Sequence, residues 1–197
     1  MNLANKLTIF RIILVPIMVI IPFLGIQGSW NYIPYEWIII DLIFIIASIT
    51  DKLDGTIARK RNEITTFGKF LDPIADKILV LAAMIMLVEA GRLPAWIPII
   101  VLFREFIVSG YRLVAVEKGG KVIAASIWGK IKTVTQMIAI ILMCIDINGY
   151  FGMLKEHLTG WNLALNIVTS VLITISVIAT IFSGWEYIKD GKELLKD

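Results

Sequence analysis

Apolar runs recur six times along this 197-residue chain. Each is about 20 residues long, the length a helix needs to cross roughly 30 Å of hydrocarbon. The runs lie near Leu7–Ile26, Tyr35–Thr56, Phe70–Ala90, Ala95–Val116, Trp128–Ile147 and Trp161–Phe182. Few folds tolerate so much repeated hydrophobicity. The chain is 58% hydrophobic and 18% charged, with a mean hydropathy of +0.83, whereas about a quarter of the residues of an ordinary soluble domain are charged. A bilayer hides such a surface and a single aqueous core does not. Backbone groups in lipid must satisfy one another within their own segment, so the expected form is helical. The expected fold is therefore all-α, a polytopic membrane protein with six transmembrane helices in a single integral-membrane domain, residues 1–197. No linker, repeat or low-complexity tract breaks it.

The first run has Lys6 in front of it, like a secretory signal. Arg11 interrupts it, however, and no A-x-A-like cleavage site follows, so it reads as a retained helix. Basic residues set the orientation. One face of the membrane receives Lys6, then Arg59, Lys60, Arg61 and Lys69, then Lys118, Lys121, Lys130 and Lys132, then Lys189, Lys192 and Lys196. The opposite face receives little beyond Arg92 and Lys155. Both termini are thus expected on the cytoplasmic side, where the basic surface meets anionic lipid headgroups. Nucleic acid is a poor partner for charges spread over short membrane loops. Cys144, the only cysteine, lies deep in the fifth run, which excludes an internal disulfide and a thiolate metal site. The charged end "EYIKDGKELLKD" is expected to lie at the cytoplasmic surface as a fraying helix.

Against this background one stretch stands out: "DKLDGTIARKRNEITTFGKFLDPIADK", residues 51–77. It places Asp51 and Asp54 where the second apolar run closes, and Asp72 and Asp76 where the third opens. On helices, Asp51, Asp54 and Ala58 share a face, as do Gly68, Asp72 and Asp76. A short loop makes the two helices antiparallel neighbours, so the acidic faces can meet at the membrane boundary. Clustered carboxylates raise one another's pKa and destabilise a site unless a cation holds them. Oxygen-only donors suit Mg²⁺ or Mn²⁺, and two ions about 4 Å apart would suit phosphoryl transfer. The remaining residues fit a phosphate-bearing ligand. Gly55 permits close approach to the backbone, Ala58 leaves room one turn on, and Arg59 offers a fork of donors matched to phosphate oxygens.

The pattern Asp51-x-x-Asp54-Gly55-x-x-Ala58-Arg59, eight residues, then Gly68-x-x-x-Asp72-x-x-x-Asp76 resembles the signature of the CDP-alcohol phosphotransferases, with every defining position occupied. The resemblance implies transfer of a phosphatidyl or similar group from a CDP-linked donor to an alcohol, with release of CMP. It also implies a six-helix membrane fold, usually homodimeric. Asp51, Asp54, Asp72 and Asp76 would be metal ligands, and Asp76 would also be the base that takes the acceptor's proton. Asp54, Gly55, Ala58, Arg59 and Gly68 would line the CDP donor.

The acceptor is read from other segments. "NKLTIFR" puts Thr8 and Arg11 near the cytoplasmic boundary, "REFIVSGYR" puts Glu105, Ser109 and Arg112 on one helix face, and "GKIKT" places Lys130, Lys132 and Thr133 at the start of the fifth run. Basic groups from three helices suggest an acceptor with its own phosphate, bound by Thr8, Arg11, Arg112, Lys130 and Lys132. Arg104 and Glu105 sit deeper, and charge pairing is the expected role for Arg104. Together with "VIAASIWGKIKTVTQ", these segments resemble a branch of the same family, the bacterial phosphatidylglycerophosphate synthases, over most of residues 2–136. That branch implies CDP-diacylglycerol and sn-glycerol 3-phosphate as substrates, in a bacterial-type cell (inner) membrane. Inositol phosphate, serine or another phosphatidyl lipid remains an alternative acceptor. An ion-coupled transporter is disfavoured, because no repeat is present and the acids gather at one boundary. Beyond residue 136 only the row Asn162, Asn166, Ser170 and Thr174 is distinctive, suited to helix packing or a dimer interface.

Overall fold

In a computed structural model the backbone is described for residues 3–61, 66–117 and 126–191, and side chains for residues 5–50, 71, 74–115 and 126–189. Among the described residues the chain is mostly helical, with six α-helices: α1 Leu3–Ile20, α2 Tyr35–Arg61, α3 Thr66–Glu89, α4 Trp96–Glu117, α5 Ile127–Ile145 and α6 Gly160–Gly191. Each apolar run has become a helix, and several overshoot it. Hydropathy ends where charges begin, but Lys, Arg and Glu are good helix formers, so α2 continues past Thr56 to Arg61 and α6 past Phe182 to Gly191. Residues 192–197 of the expected tail helix lie outside the described set.

Among the described residues three helical stretches are long and apolar enough to cross a membrane by length and composition: Asn5–Leu24, Ile127–Ile145 and Gly160–Lys189. The other three helices carry more charge, such as Glu36 and Asp41 on α2, Asp76 and Lys77 on α3, and Arg104, Glu105 and Arg112 on α4. Large apolar side chains nevertheless face outward on every helix, among them Phe10, Leu42, Ile85, Phe103, Ile138 and Ile181. Outward apolar faces of this kind fit lipid and not water.

Between α1 and α2 the chain makes a feature the apolar runs do not announce. A 3₁₀ turn, Ile21–Leu24, ends at Gly25 with φ of 62°. A short antiparallel hairpin follows, Ser29–Trp30 (β1) on Ile33–Pro34 (β2). Its two turn residues, Asn31 and Tyr32, have φ of 49° and 69°, the positive values that match the right-handed twist of paired strands. Gly28, at φ 106°, lies under the Tyr35 ring, where an added Cβ would come within 2.7 Å.

The helices fall into two compact units. The first comprises Met1–Arg92 with Ile141–Ile147. There α1 packs against both α2 and α3, burying Val15, Met18, Ile40, Phe44, Leu79 and Leu87. Arg92 closes this unit. Its Nη1 donates to the carbonyls of Cys144, at 2.6 Å, and Met143, at 3.3 Å, oxygens at the end of α5 that have no helical partner. The guanidinium also lies 4.3 Å from the Trp37 ring centre. Burial lowers Arg92 from the usual guanidinium range, partly offset by the Asp146 and Glu36 carboxylates. Cys144 is a buried small hydrophobe, as its position implies.

The second unit comprises Leu93–Ile140 with Asn148–Asp197, and α4 packs along α6. The polar row on α6 holds a loop to its own chain. Asn166 accepts from the Met153 amide at 2.9 Å and donates to the Gly149 carbonyl at 2.7 Å. Ser170 accepts from the Phe151 amide at 2.9 Å, and Thr174 meets the Tyr150 hydroxyl at 3.1 Å. These bonds hold Phe151 in a left-handed conformation, φ 53°, that a bulky residue rarely adopts. Asn162, the first of the row, is exposed. Small buried residues, Ser170, Ser176, Ala179, Thr180 and Ser183, give α6 the smooth face that membrane helices pack through.

Candidate active site

The helices that carry the aspartates both belong to the first unit. Asp51 and Asp54 stand on the last turns of α2, and Asp72 and Asp76 within the first turns of α3. The side chains of Asp51, Asp54, Ala58, Arg59 and Asp72, and the surroundings of Gly55 and Gly68, lie outside the described residues. Asp76 is described: it is half-buried, with Ala75 and Leu79 beside it fully inside the unit. Among the described residues no group of three His, Cys, Asp or Glu is placed to hold a metal. The donor set of the motif is nonetheless suited to a hard divalent ion, being carboxylate throughout. The softer alternatives are remote from it in chemistry: Cys144 is buried and His157 is exposed on a loop.

The inner face of α1 is polar at its start. Asn5, Thr8 and Arg11 recur at intervals of three and are buried, Arg11 completely, while α1 packs against the two aspartate-bearing helices. Thr8 and Arg11 were expected near the site. Asn5 lies one turn earlier on the same face and was not singled out, although its spacing from Thr8 signalled it.

The remaining acceptor-side candidates lie in the second unit. Ser126 caps α5 by accepting from the Gly129 amide at 3.2 Å, which fixes the start of the helix that carries Lys130 and Lys132. Lys130 is exposed. Lys132 is buried and its Nζ donates to Glu105 Oε1 at 2.6 Å. Arg104 Nη1 reaches the same carboxylate oxygen at 2.8 Å, and its Nη2 donates to Ser183 Oγ at 2.6 Å. Arg104 therefore has the charge-pairing role expected of it. Arg112 is exposed and donates through Nη2 to the Tyr187 hydroxyl at 2.8 Å. Tyr187 itself is fully buried on α6, and nothing in its local sequence announces that role.

With this geometry in view, comparison with known proteins decides the family. A profile for CDP-alcohol phosphatidyltransferases matches residues 1–182. The chain belongs to the CDP-alcohol phosphatidyltransferase family. The chain is 42% identical over 200 residues to the CDP-diacylglycerol–glycerol-3-phosphate 3-phosphatidyltransferase of Bacillus subtilis strain 168, covering 99% of this chain and 97% of that one. It is 40% identical over 200 residues to the protein of the same name from Haemophilus influenzae, covering 100% and 96%. It is 35% identical over 187 residues to a probable phosphatidylglycerophosphate synthase of Mycobacterium tuberculosis, covering 95% and 80%. The acids stand toward the end of α2 and the start of α3, where apolar sequence gives way to charged sequence.

Proposed function

We propose that the chain transfers the phosphatidyl group of CDP-diacylglycerol to sn-glycerol 3-phosphate, forming phosphatidylglycerol phosphate and CMP. One observation carries this: an unbroken Asp51-to-Asp76 pattern sits in a chain 42% identical, over 99% of its length, to a relative named for that reaction. In this reaction the acceptor hydroxyl oxygen attacks the lipid-side phosphorus while the bond to CMP breaks.

Asp51, Asp54, Asp72 and Asp76 would hold Mg²⁺ or Mn²⁺, two ions per site. Bound there, the metal supplies positive charge against the diphosphate and the leaving CMP. Asp76 takes the proton from the acceptor hydroxyl. Asp54 and Arg59 bind the CDP end, while Gly55, Ala58 and Gly68 keep bulk away from it. Thr8, Arg11, Arg112, Lys130 and Lys132 receive the acceptor's phosphate. Arg112 and Lys130 are exposed and make the direct contacts, and Lys132 acts from its pair with Glu105. The chain crosses a bacterial-type cell (inner) membrane six times as one catalytic domain and works as a homodimer. Its termini and site face the cytoplasm, on the side that gathers the basic residues.

The test is CMP release by the purified protein with CDP-diacylglycerol and Mg²⁺ as acceptors are supplied singly. Release that depends on glycerol 3-phosphate and stops with EDTA is the expected result. Release driven by serine or inositol phosphate would overturn the acceptor assignment while leaving the family chemistry intact.

A further inference from the structure

We propose that Tyr187 is a positioning residue for the acceptor: its hydroxyl sets the Arg112 guanidinium so that the remaining N–H donors of Arg112 face the phosphate of glycerol 3-phosphate. The inference rests on the reaction proposed above and names a residue that the aspartate motif and the acceptor-side segments do not contain.

Tyr187 has the properties of a fixed post. It is 1% exposed, and two guanidiniums of α4 lie near its ring, Arg104 at 5.8 Å and Arg112 at 5.6 Å from the centroid. Both are within the range at which cations are drawn to an aromatic face. Arg104 cannot swing away, because Ser183 and Glu105 hold its two terminal nitrogens at 2.6 and 2.8 Å. The space for that arrangement comes from Gly129, where an added Cβ would stand 3.3 Å from Arg104 Nη2 and 3.4 Å from Ser183 Oγ.

Arg112 is the opposite case. It is exposed, and among the described residues its contacts are with Tyr187, through one hydrogen bond at 2.8 Å and the ring face. A guanidinium offers five N–H donors in a rigid fork. Using one of them on a buried hydroxyl removes the free rotation of a long side chain and leaves the rest of the fork for an anion. Arg112 stands five residues before the end of α4 at Glu117, about 7.5 Å by helical rise. A bound phosphate at that depth meets an arginine already aimed.

The experiment uses the full chain in detergent–lipid micelles with CDP-diacylglycerol and Mg²⁺. It measures kcat, the KM of each substrate, and the melting temperature. Tyr187→Phe keeps the ring, its packing and both cation contacts, and removes only the hydroxyl. It should raise the KM for glycerol 3-phosphate about tenfold while the KM for CDP-diacylglycerol and the melting temperature hold. Arg112→Ala should raise the same KM further, and the double variant should be no worse than Arg112→Ala alone, since the hydroxyl reaches the acceptor through Arg112. An unchanged acceptor KM in Tyr187→Phe overturns the inference. So does an equal loss toward both substrates with a lowered melting temperature, which marks a purely structural tyrosine, and so do effects that add in the double variant. The wild-type control separates the two levels: CMP release without glycerol 3-phosphate dependence would sink the reaction assignment and this inference with it.

Discussion

Removing Glu105 should cost this protein more than removing Glu105 and Lys132 together. The Glu105 carboxylate receives Lys132 at 2.6 Å and Arg104 at 2.8 Å, with side-chain exposures of 15%, 9% and 13% in that order. At 2.6 Å and an effective dielectric of about 20, Coulomb's law gives about 6 kcal/mol of gross attraction for the lysine pair. Most of that offsets the dehydration of two ions. Glu105→Leu removes the attraction but leaves a buried ammonium, so the expected loss is about 3–5 kcal/mol. Lys132→Met is milder, about 1–2 kcal/mol, because Arg104 still neutralises Glu105. In Glu105→Leu/Lys132→Met the buried ammonium is gone along with its carboxylate and Arg104 keeps Ser183, so the loss should fall back to about 1–2 kcal/mol. Unfolding titrations in mixed micelles, followed by tryptophan fluorescence, measure all three; the chain has six tryptophans. If the double variant loses as much as the two single variants summed, the ion pair is not what holds α4 to α5 and the reasoning fails.

Asp72→Asn and Asp54→Asn should each lower CMP release by at least about a hundredfold with melting temperatures near wild type, and a matched loss of stability would argue that the carboxylates serve the fold instead. Chelation with EDTA should abolish turnover, and excess Mg²⁺ or Mn²⁺ should restore it; turnover that survives exhaustive chelation would remove the metal from the scheme. Arg92→Met leaves the Met143 and Cys144 carbonyls unsatisfied and should cost about 2–3 kcal/mol in the same unfolding titration, with a wild-type value as the contrary result. Gly28→Val demands φ of 106° from a β-branched residue and a contact of 2.7 Å with Tyr35, so it should destabilise by at least about 2 kcal/mol; an unchanged melting curve would show the hairpin to be dispensable.

The aspartate motif is read from local features alone, and the side chains of Asp51, Asp54 and Asp72 lie outside the described residues. Residue type and spacing of three and four along a helix suffice to place carboxylates on one face, with no knowledge of distant contacts. The helices were legible for a similar reason, through the length of each apolar run. What escaped was long-range. Tyr187 lies 75 residues from Arg112, inside a stretch that looked like a charged surface tail, and nothing nearby marks it as buried. Arg92 was counted only as one of the few basic residues on the opposite face, and counting by side of the membrane carries no information on burial. Its partners are 51 and 52 residues away. The Ser29–Pro34 hairpin was missed because Asn31 is followed by Tyr32 and not by the glycine that usually announces such a turn. On α6, the row of Asn166, Ser170 and Thr174 was visible as a helix face. Its partner, the loop at 149–153 on the same chain, was not.

The tie between Arg92 and the end of α5 has a bearing on how the protein is made. A ribosome that has delivered the first 92 residues has supplied the helices bearing the aspartates, but not the strip Ile141–Ile147 that belongs to the same unit. Until that strip arrives, Arg92 lacks the carbonyls it caps in the finished chain and keeps the Trp37 ring beside it. The order of synthesis therefore differs from the order of completion. The helices bearing the aspartates come early, and their unit is complete only when residues 141–147 have been added. A nascent chain released before Cys144 would carry the whole aspartate motif on an unclosed frame.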